Sequence, residues 1–261
     1  MIYWDISPDI FSIGPIVIRW YGLLFAMSFL VGYQIMTVIF KKENRSEDDL
    51  NDLVVYMILG TVIGARLGHC IFYNPDYYFS HPLEILQIWK GGLASHGAGI
   101  GIITALILYT RKKKEISFLW IMDRIVITVA LSGFFIRMGN LFNSEIIGKP
   151  TNSNWGFVFA SVDNIPRHPA QLYEAIAYLL IFIFLYWYYF TAKEKLKNGL
   201  LFGIFLISVF GFRFFVEFFK ENQSPFEQNM VLNMGQILSI PFVILGIYFL
   251  IRKEKKVIKL P

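Results

Sequence analysis

The run RMGNLFNSEIIG, residues 137–148, concentrates polar groups directly after an apolar stretch of the chain. It carries Arg137, Asn140, Asn143 and Glu145, and it ends at Gly148. If this apolar stretch spans a membrane, an ionisable side chain at its end costs free energy, so such a residue usually marks a functional site or a structural ion pair. A plain loop would also be polar and rich in glycine, but it would be less suited to holding one geometry. We therefore interpret this run as part of a functional site.

Arg213 and Glu217 stand four residues apart in the segment GFRFFVEFF. Residues four apart face the same side of a helix, so this pair could simply neutralise itself. Alternatively, Glu217 could orient Arg213 towards an anionic ligand. A guanidinium group suits phosphate because it combines a permanent charge with a planar fork of donors. The spacing leaves both interpretations open.

His96 lies in GGLASHGAGIG, where a glycine-rich turn leads into another apolar stretch. Free N–H groups at a helix N-terminus favour anions, and a histidine there can accept a proton near neutral pH. A histidine at the end of a membrane span can equally be an interface residue. The segment RHPAQLYEA, residues 167–175, poses a similar choice, because Glu174 could serve the site or the polar start of a helix.

The chain has one cysteine, Cys70, which excludes an internal disulfide and a cysteine-cluster metal site. His69 stands beside it in an apolar stretch, without neighbours that suggest catalysis. The sequence has no CxxC, HExxH or P-loop pattern, so metal and nucleotide chemistry have no support and we expect no cofactor. No carboxylate cluster suggests Mg²⁺. A metal-free anion site open to lipid favours a phospholipid headgroup as ligand.

The elements that must position these residues are predicted to be membrane-spanning helices. Hydrophobic residues make up 56% of the 261 residues, and only 16% are charged, against about 25% in a soluble domain. A span needs about 20 mostly apolar residues. Seven stretches qualify, and they cover roughly residues 17–39, 53–72, 96–110, 118–136, 172–190, 199–219 and 233–251. We therefore predict an all-α integral membrane fold with seven transmembrane helices.

Basic residues predict the orientation of these helices. They cluster in residues 41–45, 111–114, 193–197 and 252–259, which follow the first, third, fifth and seventh predicted spans. Such clusters could bind anionic lipid or nucleic acid, but they are more typical of the cytoplasmic side of a membrane protein. We therefore expect an outer N-terminus, a cytoplasmic C-terminus and no nucleic-acid partner. The polar site would then lie towards the outer face of the membrane.

The two long outer connections have different compositions. Residues 73–95 mix aromatic residues with two prolines, which suits a segment at the level of the lipid headgroups. Residues 137–171 are rich in asparagine and are expected to form a small outer cap, with a short hairpin around residues 155–162. The N-terminal segment is a candidate amphipathic segment at the interface. We treat residues 1–261 as a single polytopic membrane domain.

Taken in order, the motifs resemble those of the prolipoprotein diacylglyceryl transferase family, over nearly the whole chain. They are RWYG at 19–22, GARLGH at 64–69, FYN at 72–74, GGLASHGAG at 91–99, RMGNLFNSEIIG at 137–148, RHPAQLYE at 167–174 and FRFFVEFF at 212–219. The run at 137–148 is the most specific because its spacing is long. The family has the seven-span topology predicted above. This chain departs from the family pattern at Val209, where a tyrosine is frequent, and at Ala98, where a glycine is usual.

The resemblance implies transfer of the diacylglyceryl group of phosphatidylglycerol to the lipobox cysteine of a prolipoprotein signal peptide, with release of glycerol phosphate. The family residues that match are Tyr21, Tyr73, His96, Arg137, Asn140, Glu145, Gly148, Arg213 and Glu217, to which we add Asn143. As a hypothesis, His96 is the base, and Arg137 and Arg213 stabilise the leaving phosphate. Glu145 and Glu217 hold the arginines, while Asn140 and Tyr21 contact the headgroup.

Two other classes of protein compete with this interpretation. A transporter or binding protein for an anionic lipid or solute would show repeat symmetry or a polar stripe through the whole bilayer, whereas the polar groups here lie mainly at one end. A structural scaffold would not need buried arginines. The motifs favour the enzyme.

Overall fold

The computed structural model describes residues 1–14, 16–192, 196–222, 227 and 230–252. Several basic residues used to predict the orientation lie outside this part of the chain, namely Lys193, Lys195, Lys253, Lys255, Lys256 and Lys259.

The described residues contain eight α-helices. They are α1 Trp20–Lys42, α2 Glu47–Phe72, α3 Pro75–Ser80, α4 Ser95–Lys112, α5 Phe118–Phe142, α6 Ala170–Thr191, α7 Leu200–Val216 and α8 Met234–Ile251. Two 3₁₀ turns, Pro82–Leu86 and Ile88–Lys90, lie between α3 and α4.

A long helix occupies each of the seven predicted stretches. Five of these helices are long and apolar enough to cross a membrane, namely α1, α2, α5, α6 and α8. Helix α7 is apolar but shorter, with 17 residues. The chain is therefore a mostly helical membrane protein, while the count of seven spans stays a prediction.

Helix α5 extends beyond its predicted end. The hydropathy signal stops at residue 136, but the helix continues to Phe142 and so includes Arg137 and Asn140. Polar residues can prolong a membrane helix where other protein groups satisfy them, and both of these side chains have polar partners. The predicted outer cap therefore begins on a helix and not in a loop.

The prediction of an all-α chain is wrong in its detail, because the described residues also contain two small sheets. Strand β1, Ile2–Trp4, runs parallel to β4, Phe157–Phe159, which also pairs antiparallel with β5, Pro166–Arg167. Strands β2, Asp9–Ile13, and β3, Ile16–Arg19, form an antiparallel pair. The predicted hairpin around 155–162 is thus one strand between two partners outside that range.

The first sheet is held by an apolar cluster. Phe157, Phe159 and Leu141 are buried, and Trp4 packs against them. The ring centroids of Trp4 and Phe157 are 5.8 Å apart. The N-terminal segment, predicted to be amphipathic at the interface, therefore contains three short strands, β1, β2 and β3, and Trp4 of β1 packs against this cluster.

The chain divides into two compact units. The first unit contains residues 1–35 and 122–261, and the second contains residues 36–121. In the second unit, α2 and α4 approach so closely that a side chain at Gly101 would collide with the Gly60 carbonyl. Small residues permit such contacts between membrane helices.

Within each unit, the predicted cytoplasmic segments that the structure describes lie together. In the second unit, Lys113 Nζ lies 2.7 Å from Asp49 Oδ1 and 3.0 Å from Asp52 Oδ2, which joins the end of α4 to the start of α2. In the first unit, Arg252 Nη2 donates a hydrogen bond of 3.0 Å to the Asn198 carbonyl. These contacts agree with the grouping of the basic segments within each unit.

Candidate active site

Five charged side chains meet at one end of the first unit, and we call them the charge cluster: Arg137, Glu174, Arg213, Glu217 and Lys220. Arg137 Nε lies 3.1 Å from Glu174 Oε2, and Lys220 Nζ lies 3.8 Å from the same oxygen. Lys220 Nζ is 2.6 Å from Glu217 Oε1, and Arg213 Nε is 3.6 Å from it. The cluster joins the end of α5, the start of α6 and the end of α7.

Burial makes the charges of this cluster costly. The side chains of Glu174 and Lys220 are 0% and 1% exposed, whereas that of Arg213 is 35% exposed. Buried ions are tolerated only when partners compensate for their lost hydration. Three cations share two carboxylates here, so the five groups carry one excess positive charge. Arg213 is the member most open to an incoming anion.

Lys220 reaches the cluster because the chain turns sharply after α7. The Lys220 amide donates to the Glu217 carbonyl at 3.3 Å, and the residue forms an antiparallel bridge with Gly148. Burial lowers the pKa of Lys220, and the nearby Glu174 carboxylate opposes that shift. The ammonium thus depends on its two carboxylate partners.

A chain of hydrogen bonds leads away from Arg137 along the predicted run. Arg137 Nη1 donates to Asn140 Oδ1 at 3.2 Å, and Asn140 Nδ2 donates to Glu145 Oε2 at 3.2 Å. Asn143 Nδ2 donates to the other oxygen, Glu145 Oε1, at 3.1 Å. Arg137 and Asn140 face each other because residues three apart are neighbours on a helix. The structure thus brings all four predicted polar residues together.

The turn around Glu145 is held in an uncommon conformation. Ser144 and Ile146 have φ angles of 53° and 56°, in the left-handed region that non-glycine residues seldom adopt. Gln171 Nε2 donates to the Glu145 carbonyl at 2.5 Å, and Gln171 is fully buried. Tertiary contacts therefore fix where the exposed Glu145 carboxylate lies.

Gly148 stands at a tight crossing of the chain. Its amide donates to the His168 carbonyl at 2.9 Å, and any side chain at this position would collide with that oxygen. Arg167 Nη1 donates to the Gly148 carbonyl at 3.3 Å. Arg167 also pairs with Asp163 at 2.6 Å and with Glu221 at 2.7 Å. Gly148 therefore supports the site through its backbone.

Glu217 is anchored by the helix that follows it. Asn233 Nδ2 donates to Glu217 Oε2 at 3.1 Å, while Glu217 Oε1 faces Lys220. Asn233 also caps α8 in a reciprocal capping box with Gln236. The residue that begins α8 thus also fixes a carboxylate of the charge cluster.

Tyr21 lies in α1 of the same unit, against the helix that carries Arg137. A Cβ atom at Gly139 would stand 2.7 Å from Tyr21 Cδ2, so the tyrosine ring packs directly over that glycine. The first unit thus contains eight of the ten predicted site residues, namely Tyr21, Arg137, Asn140, Asn143, Glu145, Gly148, Arg213 and Glu217.

Tyr73 and His96, the other two predicted residues, belong to the second unit. Tyr73 caps the end of α2, and His96 lies in the first turn of α4. Their rings stack with centroids 5.8 Å apart and an angle of 26° between planes. Both side chains are exposed. The exposed imidazole at a helix N-terminus is open to a substrate.

Sequence reasoning missed three contributors. Lys220 is not among the predicted site residues, although its position three residues after Glu217 is a usable signal. Glu174 was left between a capping role and a site role, and it proves to be the buried centre of the charge cluster. Asn233 gave no local sign beyond that of a helix cap.

The charge cluster is suited to binding a phosphate and to stabilising charge that develops on it. Fixed donors in a water-poor site act more strongly than they would in water. Among the described residues, no group of three His, Cys, Asp or Glu side chains is arranged to hold a metal ion.

Comparison with known proteins identifies the family. A family model described as prolipoprotein diacylglyceryl transferase matches residues 8–252. A phosphatidylglycerol–prolipoprotein diacylglyceryl transferase of Chloroherpeton thalassium is 54% identical over 258 residues, which cover 98% of this chain and 95% of that protein. Proteins of the same name from Tolumonas auensis and Bacteroides fragilis are 48% and 47% identical, each over 98% of this chain and over 99% and 96% of their own lengths. The chain belongs to the prolipoprotein diacylglyceryl transferase family.

Proposed function

We propose that this membrane protein transfers the diacylglyceryl group of phosphatidylglycerol to the lipobox cysteine of a prolipoprotein. The full-length relatives carry the name of this reaction. The observation that carries the proposal is the charge cluster, whose excess positive charge suits the phosphate of an anionic lipid. Membrane lipid and the signal peptide of the precursor are the partners.

The reaction is a displacement at the glycerol carbon that bears the phosphate ester. The cysteine sulfur forms a bond to that carbon, and the carbon–oxygen bond breaks. Glycerol phosphate leaves with the electron pair, and the product is a thioether. The nucleophile belongs to the substrate, so the enzyme needs no cysteine of its own, which agrees with a buried Cys70.

His96 is assigned the role of proton acceptor for the substrate thiol. A thiol with an ordinary pKa near 8.5 is mostly protonated at neutral pH, so removal of its proton makes the sulfur a better nucleophile. Histidine is suited to this transfer because its ordinary pKa lies close to neutral pH. Tyr73 stacks on the imidazole and limits its orientation.

Arg137, Arg213 and Lys220 are assigned to the phosphate. The leaving group gains negative charge as its ester bond breaks, so fixed cations stabilise the transition state more than the bound substrate. Glu174 and Glu217 hold these cations in place, whereas Glu145, which was expected to hold an arginine, is linked to Arg137 through Asn140. This division of roles explains why carboxylates lie inside a site for an anion.

The remaining predicted residues are assigned to the headgroup and to its support. Asn140, which accepts a hydrogen bond from Arg137, and Tyr21, which packs over Gly139, are assigned to the headgroup, while Asn143 and Glu145 complete the hydrogen-bonded chain. Gly148 contributes the close chain crossing on which this arrangement rests.

We infer seven membrane spans, with the N-terminus outside and the C-terminus in the cytoplasm of a bacterium. The five long apolar helices and the shorter α7 supply six of these spans, and α4 supplies the seventh. The grouping of basic segments within each unit supports this orientation. The charge cluster then faces the outer side of the membrane, where lipobox cysteines emerge.

The test uses purified protein in detergent with phosphatidylglycerol and a peptide that carries a lipobox cysteine. Mass spectrometry should detect a diacylglyceryl thioether on the peptide, and Arg137→Ala should abolish it. Arg252→Ala is the matched control, because this arginine contacts Asn198 at the other end of the unit. No thioether, under conditions where both substrates bind, would favour a lipid-binding or transport protein instead.

A further inference from the structure

Arg66 forms a buried clasp between α2 and the segment that leads into α4. The residue is 3% exposed, and its four hydrogen-bond acceptors within the described part of the chain are main-chain carbonyl oxygens. Nε donates to Ile85 at 2.9 Å, and Nη2 donates to Glu84 at 2.5 Å. Nη1 donates to Gly91 at 2.6 Å and to Gly92 at 3.2 Å.

Two of the four carbonyls held by Arg66 belong to glycines in a backbone conformation that other residues seldom adopt. Gly91 and Gly92 have φ angles of 84° and 74°, in the region that favours glycine. A Cβ atom at Gly92 would stand 2.5 Å from the His69 ring and 2.9 Å from Arg66 Nη1. Two residues later, the Ala94 amide donates to the Ala65 carbonyl at 2.9 Å. The turn before α4 is therefore attached to α2 on both sides of residue 93.

His96 follows this turn directly, in the first turn of α4. A second set of contacts, between aromatic rings, links the His96 imidazole to the face of α2 that carries Arg66. The His69 and Tyr73 rings stack with centroids 5.5 Å apart at 15°, and Tyr73 stacks in turn on His96. Arg66 lies 4.9 Å from the ring centroid of Tyr78, which meets His69 edge-on.

We propose that Arg66 is a positioning residue that sets the orientation of the His96 imidazole through the backbone of residues 84–92 and the His69–Tyr73 stack. Arg66 does not touch the reacting atoms in this proposal. Its planar fork is suited to holding several carbonyls at once, whereas a lysine would supply a single point of donors. The proposal rests on the assigned role of His96, but the position of the ring can be measured separately from activity.

The first measurement records the position of the ring. Protein labelled with ¹³C at histidine Cε1 has four histidines, and His96→Gln identifies the His96 signal. We expect Arg66→Gln to shift the His96 signal, because the ring moves relative to Tyr73, and to leave the His168 signal unchanged. An unchanged His96 signal in this variant would overturn the proposal.

The second measurement is kinetic. Misplacement of a reacting group by about 1 Å can slow an enzyme about 100-fold. We therefore expect Arg66→Gln to lower kcat by about that factor with an unchanged KM for phosphatidylglycerol, and Arg66→Lys to recover only part of kcat. Arg124→Gln removes another buried arginine, which is 6% exposed, and should leave kcat of the folded protein unchanged. A rise in KM with an unchanged kcat would contradict a positioning role, and so would an equal fall in kcat in the Arg124→Gln variant.

If Arg66→Gln fails to fold, Gly92→Ala can replace it, because Gly92 lies on the other side of the clasp. Gly92→Ala perturbs the same contact through the turn, and it should produce the same shift of the His96 signal and the same loss of kcat. If His96→Gln keeps full activity while Arg66→Gln still shifts the His96 signal, the assigned role of His96 fails but the clasp stands.

Discussion

The charge cluster of the first unit and the aromatic stack of the second are built by opposite means. The cluster assembles ions from three helices and the turn after α7, and its members compensate for each other's burial. The stack draws His69 and Tyr73 from one face of α2 and holds His96 against them by ring contacts. The cluster should therefore respond most to lost charge and donor geometry, and the stack to lost ring shape.

The largest effect is expected when the buried centre of the cluster loses its charge. Glu174→Gln leaves Arg137 and Lys220 short of a counter-ion, and breaking a buried ion pair costs about 3–5 kcal/mol. Thermal unfolding in detergent should show a large fall in Tm. Glu221→Gln is the matched control: its side chain is 46% exposed, so its pair with Arg167 is worth at most about 1 kcal/mol. Equal losses in the two variants would remove the distinction between buried and exposed pairs.

The next effect separates charge from geometry within the cluster. Arg137→Lys keeps the positive charge but loses the fork that reaches both Glu174 and Asn140. We expect kcat to fall by about 10²–10³-fold, the range for removal of one fixed donor to developing charge. The rate of thioether formation checks this prediction, with Arg252→Lys as the control. Near-normal turnover would mean that net charge alone matters there.

A smaller effect is expected in the aromatic stack. Tyr73→Leu removes the ring between His69 and His96, and aromatic pairs contribute about 0.5–1.5 kcal/mol beyond their buried area. Tyr73→Phe keeps the ring, so it should keep Tm and activity, whereas Tyr73→Leu should lower both. Tyr77→Leu is the control, because Tyr77 stacks on His81 at 4.7 Å in the same segment of residues 73–95. An inactive Tyr73→Phe would show that the hydroxyl acts and not the ring.

The same contrast explains what the sequence could reveal. The positions of the long helices follow from apolar runs, and the polar run from Arg137 to Gly148 is local, so both were predictable. The meeting of Lys220 with Glu174 depends on how α6 and α7 pack, and no local pattern contains that information.

The sheet formed by β1, β4 and β5 was not predicted, for a related reason. Its parallel pair joins Ile2 to Phe157, and short strands so far apart in sequence leave only a weak local signal. His69 was not predicted to be a site residue, because its neighbours in the sequence do not suggest catalysis. Its stacking partner Tyr73 lies one helical turn later, but only the folded structure shows that Tyr73 also stacks on His96.

The smallest effect tests whether an exposed ion pair of the first unit responds to acid, as the dependence of that unit on charge predicts. Hydrogen bonds from Arg167, and then from the Ile165 amide, hold the pKa of Asp163 below its ordinary value. The folded pKa is thus lower than the unfolded pKa of about 3.9, so the pair contributes stability above that pH and loses it as pH falls through the folded pKa.

We expect Asp163→Asn to lower Tm by a constant amount between about pH 5 and 7, which is about one to three pH units above the unfolded pKa. In more acidic buffer, the difference in Tm between the variant and the wild type should shrink. Unfolding curves of the wild type and of the variant at each pH make the comparison. An Asp163→Asn gap that stayed constant in acid would mean that this carboxyl stabilises the fold as a neutral acceptor.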